Sequence, residues 1–319
     1  MTSFRFRLLV LTASCLLARD GFTSPKQRGQ ESRGRTMATV RTWVSTDGNW
    51  GTAASWSPSG VPDTGDTAIF PSTSTVAVTS GLNQTAVTLL LLYVDDGYLQ
   101  DIGAVGNPLI ISASSAIKHF GRGSFYWQTG TANTTAVYVD SLNAVNAFTA
   151  SGASEVLEAY IAGGNCTFAC THATGIDYMT IGGLRHGRSV PTVTFSGTHK
   201  TAYVFMRSGT LYNNSTDSLA IVVLSGGVWV NGAAGTIVDY VQHGGTMFFD
   251  QGTLNPALYG IIFGGRFDAS RGPYVRTLAG GVVIFPQADY KVNYSLNPSF
   301  TGNETFLEDQ FNHDVTTYP

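Results

Sequence analysis

Charge is scarce in this chain. Asp, Glu, Lys and Arg make up 12% of its 319 residues, roughly half the share of about 25% usual in soluble domains. Hydrophobic residues reach 43%, and that content offsets the entropy of ordering, so disorder over most of the length is excluded. Cysteine is scarcer still, with only Cys15, Cys166 and Cys170. The last two flank Thr167-Phe-Ala169. An extended crossing holds their Cα atoms too far apart for a disulfide, whereas a turn would permit one; two buried thiols are expected. No apolar run reaches 18 residues, and Thr88–Val94 reads as a buried strand; a membrane-spanning helix needs ~20, so no membrane span is expected. Helical periodicity is nearly absent: only Ala153–Ala159 reads as a short helix, and equally as a strand. That excludes a doubly wound α/β sheet, which needs long crossover helices. There is no Gly-x-Gly-x-x-Gly opening a helix, no phosphate loop and no Ser-centred nucleophile elbow, and no cofactor is expected.

The net charge of −3 hides an asymmetry. Residues 1–36 carry seven basic groups and two acidic ones, a net of +5, which leaves −8 on the remainder. An acidic body gives no electrostatic footprint for nucleic acid. Arg5 and Arg7 precede the apolar stretch Leu8–Ala18, which has the charge and length of a secretory signal. No small-x-small cleavage site follows, so the alternative is an upstream extension with Met37 as the start. Both readings place residues 1–36 outside the fold.

What the chain has in abundance is glycine, 37 residues, and its second half uses it in pairs. Gly163-Gly164, Gly182-Gly183, Gly226-Gly227, Gly244-Gly245, Gly264-Gly265 and Gly280-Gly281 each follow a short apolar run. The phrase recurs as Tyr160-Ile-Ala-Gly-Gly, Val223-Leu-Ser-Gly-Gly and Val241-Gln-His-Gly-Gly. Ser-Gly turns at Gly197 and Gly209 partly bridge the widest gap. From Gly226 the intervals are 18, 20 and 16 residues. Short β-branched and aromatic runs repeating at such a period mark a stacked β architecture. The expected fold is all-β: a right-handed parallel β-helix with rungs of about 18–20 residues and three short strands per rung. Gly164, Gly183, Gly227, Gly245, Gly265 and Gly281 would form positive-φ corners along one edge. A β-sandwich is the alternative, because the first half repeats less clearly. The expected divisions are a capping module over 37–72, a solenoid body over 73–287 and a C-terminal cap or tail over 288–319.

Three of the five Trp residues, Trp43, Trp50 and Trp56, crowd into the capping module among Asp47-Gly48, Pro58-Ser-Gly60 and Pro62-Asp-Thr-Gly65 turns. An open solenoid end exposes core and strand edges, and large rings spaced by turns suit a lid over it. Asn49-Trp50, Trp56-Ser57, Gly60-Val-Pro62 and Gly65-Asp66-Thr67 resemble the opening phrase of Gly-rich β-solenoid proteins of bacterial surfaces, autotransporter passengers among them, and of phage virions. The resemblance covers about 30 residues and implies a structural or adhesive solenoid. No C-terminal translocator barrel or apolar anchor is legible, which moves the expectation toward a virion component of the decoration, tail-fibre or spike type. A secreted or cell-surface adhesin and a polysaccharide-binding or polysaccharide-degrading tailspike-like protein are the alternatives. The partners implied are other virion or surface proteins, host-surface carbohydrate, and further copies of the chain, with a trimer as the guess.

Glycoside hydrolysis calls for two carboxyl groups across the scissile bond. Asp250 and Asp268 lie 18 positions apart in adjacent rungs, with Asp239 and His243 nearby, and they are the catalytic candidates. Their bland reading is as turn residues after strands. Arg266 and Arg271 flank Asp268 without the dense Asp cluster a calcium-assisted lyase would need. Arg185-His-Gly-Arg188 is a basic knuckle that suits an acidic group or open solvent. Cys166, Cys170 and His172 have no fourth zinc ligand in sight, so no metal is expected. Tyr126, Trp127, Trp229 and Tyr259 are aromatics for either sugar stacking or core. The expectation is a non-enzymatic solenoid whose binding residues are unassigned.

Overall fold

The computed structural model describes residues 38–150, 154–171, 175–183, 189–232, 235–255, 260–270, 276–278, 281–292 and 304–306. The expectation for residues 1–36 lies outside them. Strands occupy most of the described chain, no α-helix occurs among the described residues, and the strands stack in parallel as a β-solenoid of about 10 turns. Ala153–Ala159 resolves in favour of strand, its described part opening the long strand Val156–Phe168.

The register fixes the period. Thr192, Thr210, Val228 and Thr246 lie one above another at intervals of 18 residues. The next steps are longer, 20 to Arg266 and 23 to Asp289. Central rungs use two strands, not the three expected. Leu219–Leu224 and Val228–Asn231 contribute six and four residues, with corners between them, which already fills an 18-residue rung. A third strand appears where Gly252–Leu254 and Gly260–Ile262 divide the leg beneath Thr236–Gln242, and the division continues in Arg276–Leu278 and Val282–Ile284. The ladder also runs past residue 287: Ala288–Val292 pairs with Gly265–Ala269, and Glu304–Phe306 with Val282–Ile284.

Stacking turns the alternating pattern of each strand into columns. Ala68, Leu92, Ile117, Val137, Ala159, Met179, Val204, Val222 and Tyr240 follow one another up the first leg. Two residues on run Phe70, Val94, His119, Val139, Ile161, Ile181, Met206, Leu224 and Gln242. Every member is buried, and this continuous interior supplies the apolar burial that holds the coil closed. The polar members need local answers. Gln242 accepts from the Tyr240 hydroxyl at 2.8 Å and donates to the Arg266 carbonyl at 3.0 Å. On the second leg the buried Asn213 donates to Asn231 one rung up.

The glycine corners are required by close approach. Gly227, Gly245 and Gly265 have φ of 81°, 71° and 81°. A Cβ on Gly245 would meet the Gly227 carbonyl oxygen at 2.7 Å, and one on Gly265 would meet the Gly245 oxygen at 2.5 Å. Those same carbonyls accept from the rung above, Thr246 N–H on Gly227 and Arg266 N–H on Gly245. Gly209, at φ 93°, begins this column.

At the N-terminal end Trp43, Trp50 and Trp56 are buried and meet edge to face, with centroids 4.9 and 4.7 Å apart. All three pack on Phe70, the first ring of the second core column, at 5.6 to 5.9 Å. The Gly-Val-Pro and Gly-Asp-Thr phrases lock this lid. Asp66 accepts from the Thr39 and Asp63 N–H groups and pairs with Arg41 Nε at 3.0 Å. Burial alone would raise the Asp66 carboxyl, but these donors together hold it below its ordinary value. The Arg41 guanidinium then lies across Gly60, donating to the Pro58 and Ser59 carbonyls, where a Cβ would meet Nη1 at 2.6 Å.

Gly245→Ala is expected to cost ~3 kcal/mol, combining left-handed strain with the displaced carbonyl. Gly197→Ala, with φ 65° and open space around it, should cost only ~1 kcal/mol. Chemical-denaturation midpoints compare the two; equal losses would remove the column as the cause. A second prediction concerns acid. Burial pushes His119 down to about 4 and His199 to about 3 from 6.5. Below pH 6.5 the unfolded chain takes up protons that the folded chain refuses, so stability falls as pH drops toward those values. Each histidine should remove roughly 2 kcal/mol between pH 6.5 and 5. His119→Val, matching its column neighbours, should flatten the pH profile by about half of that combined loss; an unchanged profile would contradict the assignment.

Candidate functional site

The three candidate carboxylates do not stack one above another. Asp268 lies on Gly265–Ala269, and the register sets it beside Phe248, not beside Asp250. Asp250 follows the strand Thr246–Phe249 and is half-buried. Asp239 belongs to the other leg, Thr236–Gln242, next to Ile221 and across the His243–Gly245 corner.

Asp268 is also engaged as a structural group. It is buried, 2% exposed. One carboxylate oxygen accepts from the Ser270 N–H at 3.0 Å and the Ser270 hydroxyl at 2.6 Å, and the other pairs with Arg266. Burial would raise this carboxyl; the Ser270 and Arg266 donors outweigh it and hold it below its ordinary value. A general acid needs the opposite shift. Arg266 in turn lies over the Phe248 ring, 5.7 Å from its centroid.

The remaining candidates divide. Cys166 and Cys170 are free and buried, the Cys166 thiol pushed up by burial and the Cys170 thiol raised by burial to about 12. Neither favours the thiolate a metal would need. His172, the Arg185–Arg188 knuckle, Arg271 and Tyr259 lie outside the described residues. Trp127 and Trp229 are core residues at 1% and 0% exposure, while Tyr126 is half-buried on the outside. Among the described residues no three His, Cys, Asp or Glu side chains are grouped to hold a metal, and no helix is long and apolar enough to cross a membrane.

The outward side of the first leg carries a feature that the sequence reading did not single out. Between the two core columns runs a third: Tyr138, Tyr160, Thr180, Phe205, Val223, Val241, Ile261 and Val283. All are half-buried. Beside it Glu158, Tyr178, Tyr203, Ile221 and Asp239 form a parallel row. Tyr138 stacks on Tyr160 at 4.8 Å and Tyr178 on Tyr203 at 4.7 Å, each pair within 7° of coplanar. Lys118 sits over the Tyr138 ring, and the Tyr160 hydroxyl donates to Glu158 at 2.8 Å. Burial, then Glu158, raises the Tyr160 phenol to about 12. Ring faces in these ladders point along the solenoid axis at one another, so the sides they offer outward are edges and hydroxyls. A residue three before the glycine pair marks this column at Tyr160, Val223, Val241 and Ile261, a signal the sequence did contain.

Asp268→Asn is expected to keep the fold and lower stability by ~1–2 kcal/mol, through loss of charge-assisted hydrogen bonds. The stabilisation is present above pH 3.8 and fades as pH falls through the lowered folded value. Wild type and variant should therefore differ at pH 6 and converge toward pH 3 in denaturation experiments. Equal stability at pH 6 would show that the carboxylate is not structural. Compared with protein-family models, curated proteins and solved structures, the chain matches none.

Proposed function

We propose that this chain is a non-enzymatic structural and adhesive solenoid of a virion, with a cell surface as the alternative setting. The observation that carries the reading is the unbroken parallel register from Thr67–Phe70 to Val282–Ile284. Such a ladder with one continuous core works through rigidity: it holds outward side chains in fixed rows for a partner to meet. The carboxylate best placed for catalysis is committed to holding a corner, which supports a scaffold over an enzyme. Sugar rings bind aromatic side chains face to face, and the tyrosine ladders turn their faces to one another, which favours protein partners over a glycan groove along this leg. The Trp-rich opening phrase resembles that of both phage and bacterial-surface solenoids, which supports a structural or adhesive solenoid in either setting.

Two experiments test the proposal together. Fractionation of the native source, with intact mass measured on particle and soluble material, should place the chain with assembled particles. Incubation of the purified chain with capsular and cell-wall polysaccharides should release no reducing ends. Sugar release that disappears in Asp268→Asn or Asp250→Asn would overturn the non-enzymatic reading, and a chain found only free in solution would overturn the virion setting.

A further inference from the structure

We propose that the outward face of the first leg is where a second copy of this chain docks, parallel and in register, sheet against sheet. This deepens the reading above and rests on it, because a scaffold that displays rows must itself be assembled.

Composition is the first argument. From Phe205 through Val223, Val241 and Ile261 to Val283, five successive rungs place an apolar side chain at the centre of the face. Tyr203 and Ile221 flank it on one side. On the other, past the exposed Arg207 and Ser225, the rings of His243, Phe263 and Phe285 lie 5.0 and 4.7 Å apart. Asp239 is the one carboxylate in these rows over that stretch, and its side chain is only 4% exposed. Isolated surface apolar residues need no explanation, but a contiguous patch of this kind marks an interaction surface.

Shape selects the occupant. The face is a straight row repeating at the rung spacing of about 4.8 Å. A globular partner or a short peptide would match a few rungs at most. Another copy matches all of them, since it has the same unequal rung lengths absorbed in the same corners. Area agrees: ten rungs from Tyr93 to Val283 span about 43 Å at that spacing. With a leg about 13 Å wide, the row offers on the order of 600 Å², which reaches the ~1,200 Å² total of a stable interface.

Polarity along the row selects the orientation. The centre row carries Lys118, Tyr138 and Tyr160 in its N-terminal rungs, with Glu158 beside it, while from Phe205 to Val283 that row is aliphatic and aromatic. An antiparallel pair would bury Lys118 against Ile261 and Glu158 against the Val223 rung, leaving charges desolvated. A parallel pair sets the apolar rungs against one another; its cost is the single like-charge contact of Lys118 with its own copy near the N-terminal end, against charges desolvated on apolar rungs in the antiparallel case.

Sedimentation velocity on the full chain at about 10 μM should give a multimer. Val223→Arg combined with Val241→Arg should shift it to monomer with an unchanged far-ultraviolet circular dichroism spectrum. Thr194→Arg with Val230→Arg, on the outward side of the other leg, should leave the multimer intact. Should the first double variant misfold, Val241→Cys in a Cys15→Ser background gives an independent readout. Cys166 and Cys170 are buried and do not compete. Parallel register brings position 241 opposite itself across a sheet-to-sheet gap of about 10 Å, so a short bis-maleimide cross-linker should join the two Cys side chains as a same-site dimer. A wild-type monomer, a multimer that survives the paired arginines, or a folded multimer with no 241–241 cross-link would each overturn the proposal. A chain that multimerises this way yet never accompanies particles or cells leaves the docking face standing and removes the functional reading. A monomer that still accompanies particles does the reverse.

Discussion

Parallel stacking at a spacing of about 4.8 Å is the constraint on which the rest of this chain depends. Each leg satisfies its backbone donors and acceptors only through the rungs on either side, so a side chain's lateral position passes unchanged from rung to rung. Inside, this converts alternation into columns of Val, Ile, Leu and Met. A polar residue in such a column must reach a partner in its own or the neighbouring rung. Asn213 reaches Asn231, and Gln242 reaches the Arg266 carbonyl. His119, between Val94 and Val139, instead has its charged form suppressed by burial. The corners obey the same rule in a harsher form, because a Cβ at Gly245 would occupy the place of the Gly227 carbonyl that the next rung needs.

This is why the solenoid was legible and the stacking of Asp250 on Asp268 was off by two residues. Glycine pairs mark corners, since only glycine tolerates both positive φ and that carbonyl contact. Their spacing therefore reports rung length directly. Between Gly244 and Gly264 the interval is 20 residues, so Asp250 projects onto Ser270 and Asp268 projects back onto Phe248, as the register has it. Treating a separation of 18 as stacking aligned two carboxylates that the corner spacing offsets by two residues. The third strand per rung failed for a related reason: composition shows which segments are extended, but the number of legs depends on where a strand bends, and Thr236–Gln242 crosses its bend without leaving strand geometry. In the N-terminal half the rungs vary from 20 to 25 residues, as at Leu91, Ala116, Ile117 and Val137. Few glycine pairs mark them, so periodicity there was hidden.

The lid shows how a short motif can be read as mechanics. Once a stack is committed to parallel pairing, its first rung has an uncovered core and an uncovered edge. Three indoles cover the ring of Phe70, and Val40–Trp43 pairs with Thr67–Phe70 to cover the edge. Arg41 is the residue that ties both tasks together. It extends from the edge strand across Gly60 to Asp66, fastening the turn that carries Trp56 to the turn that opens the first rung. Gly60 is present because a guanidinium lies over it, and Asp66 because that guanidinium needs a carboxylate.

The same translation that orders the interior must order the surface. No outward position on a leg can be chosen independently of its neighbours above and below, since those side chains stand one strand spacing apart. Charges repeated in such a row would repel at every rung, which is one reason a 12% charged sequence suits this architecture. The outward rows are then left to hydroxyls, aromatic ladders and aliphatics. Hydroxyl rows are content in water, whereas aliphatic rows are not, and here the aliphatics are gathered on the first leg from Phe205 to Val283. A fold that suppresses surface charge along its length therefore creates a face that favours a partner with the same repeat. The polar residues near Lys118 and Glu158 give that face a direction. A regular ladder, low charge and the directed face proposed for self-association follow in this way from one geometric fact about parallel rungs.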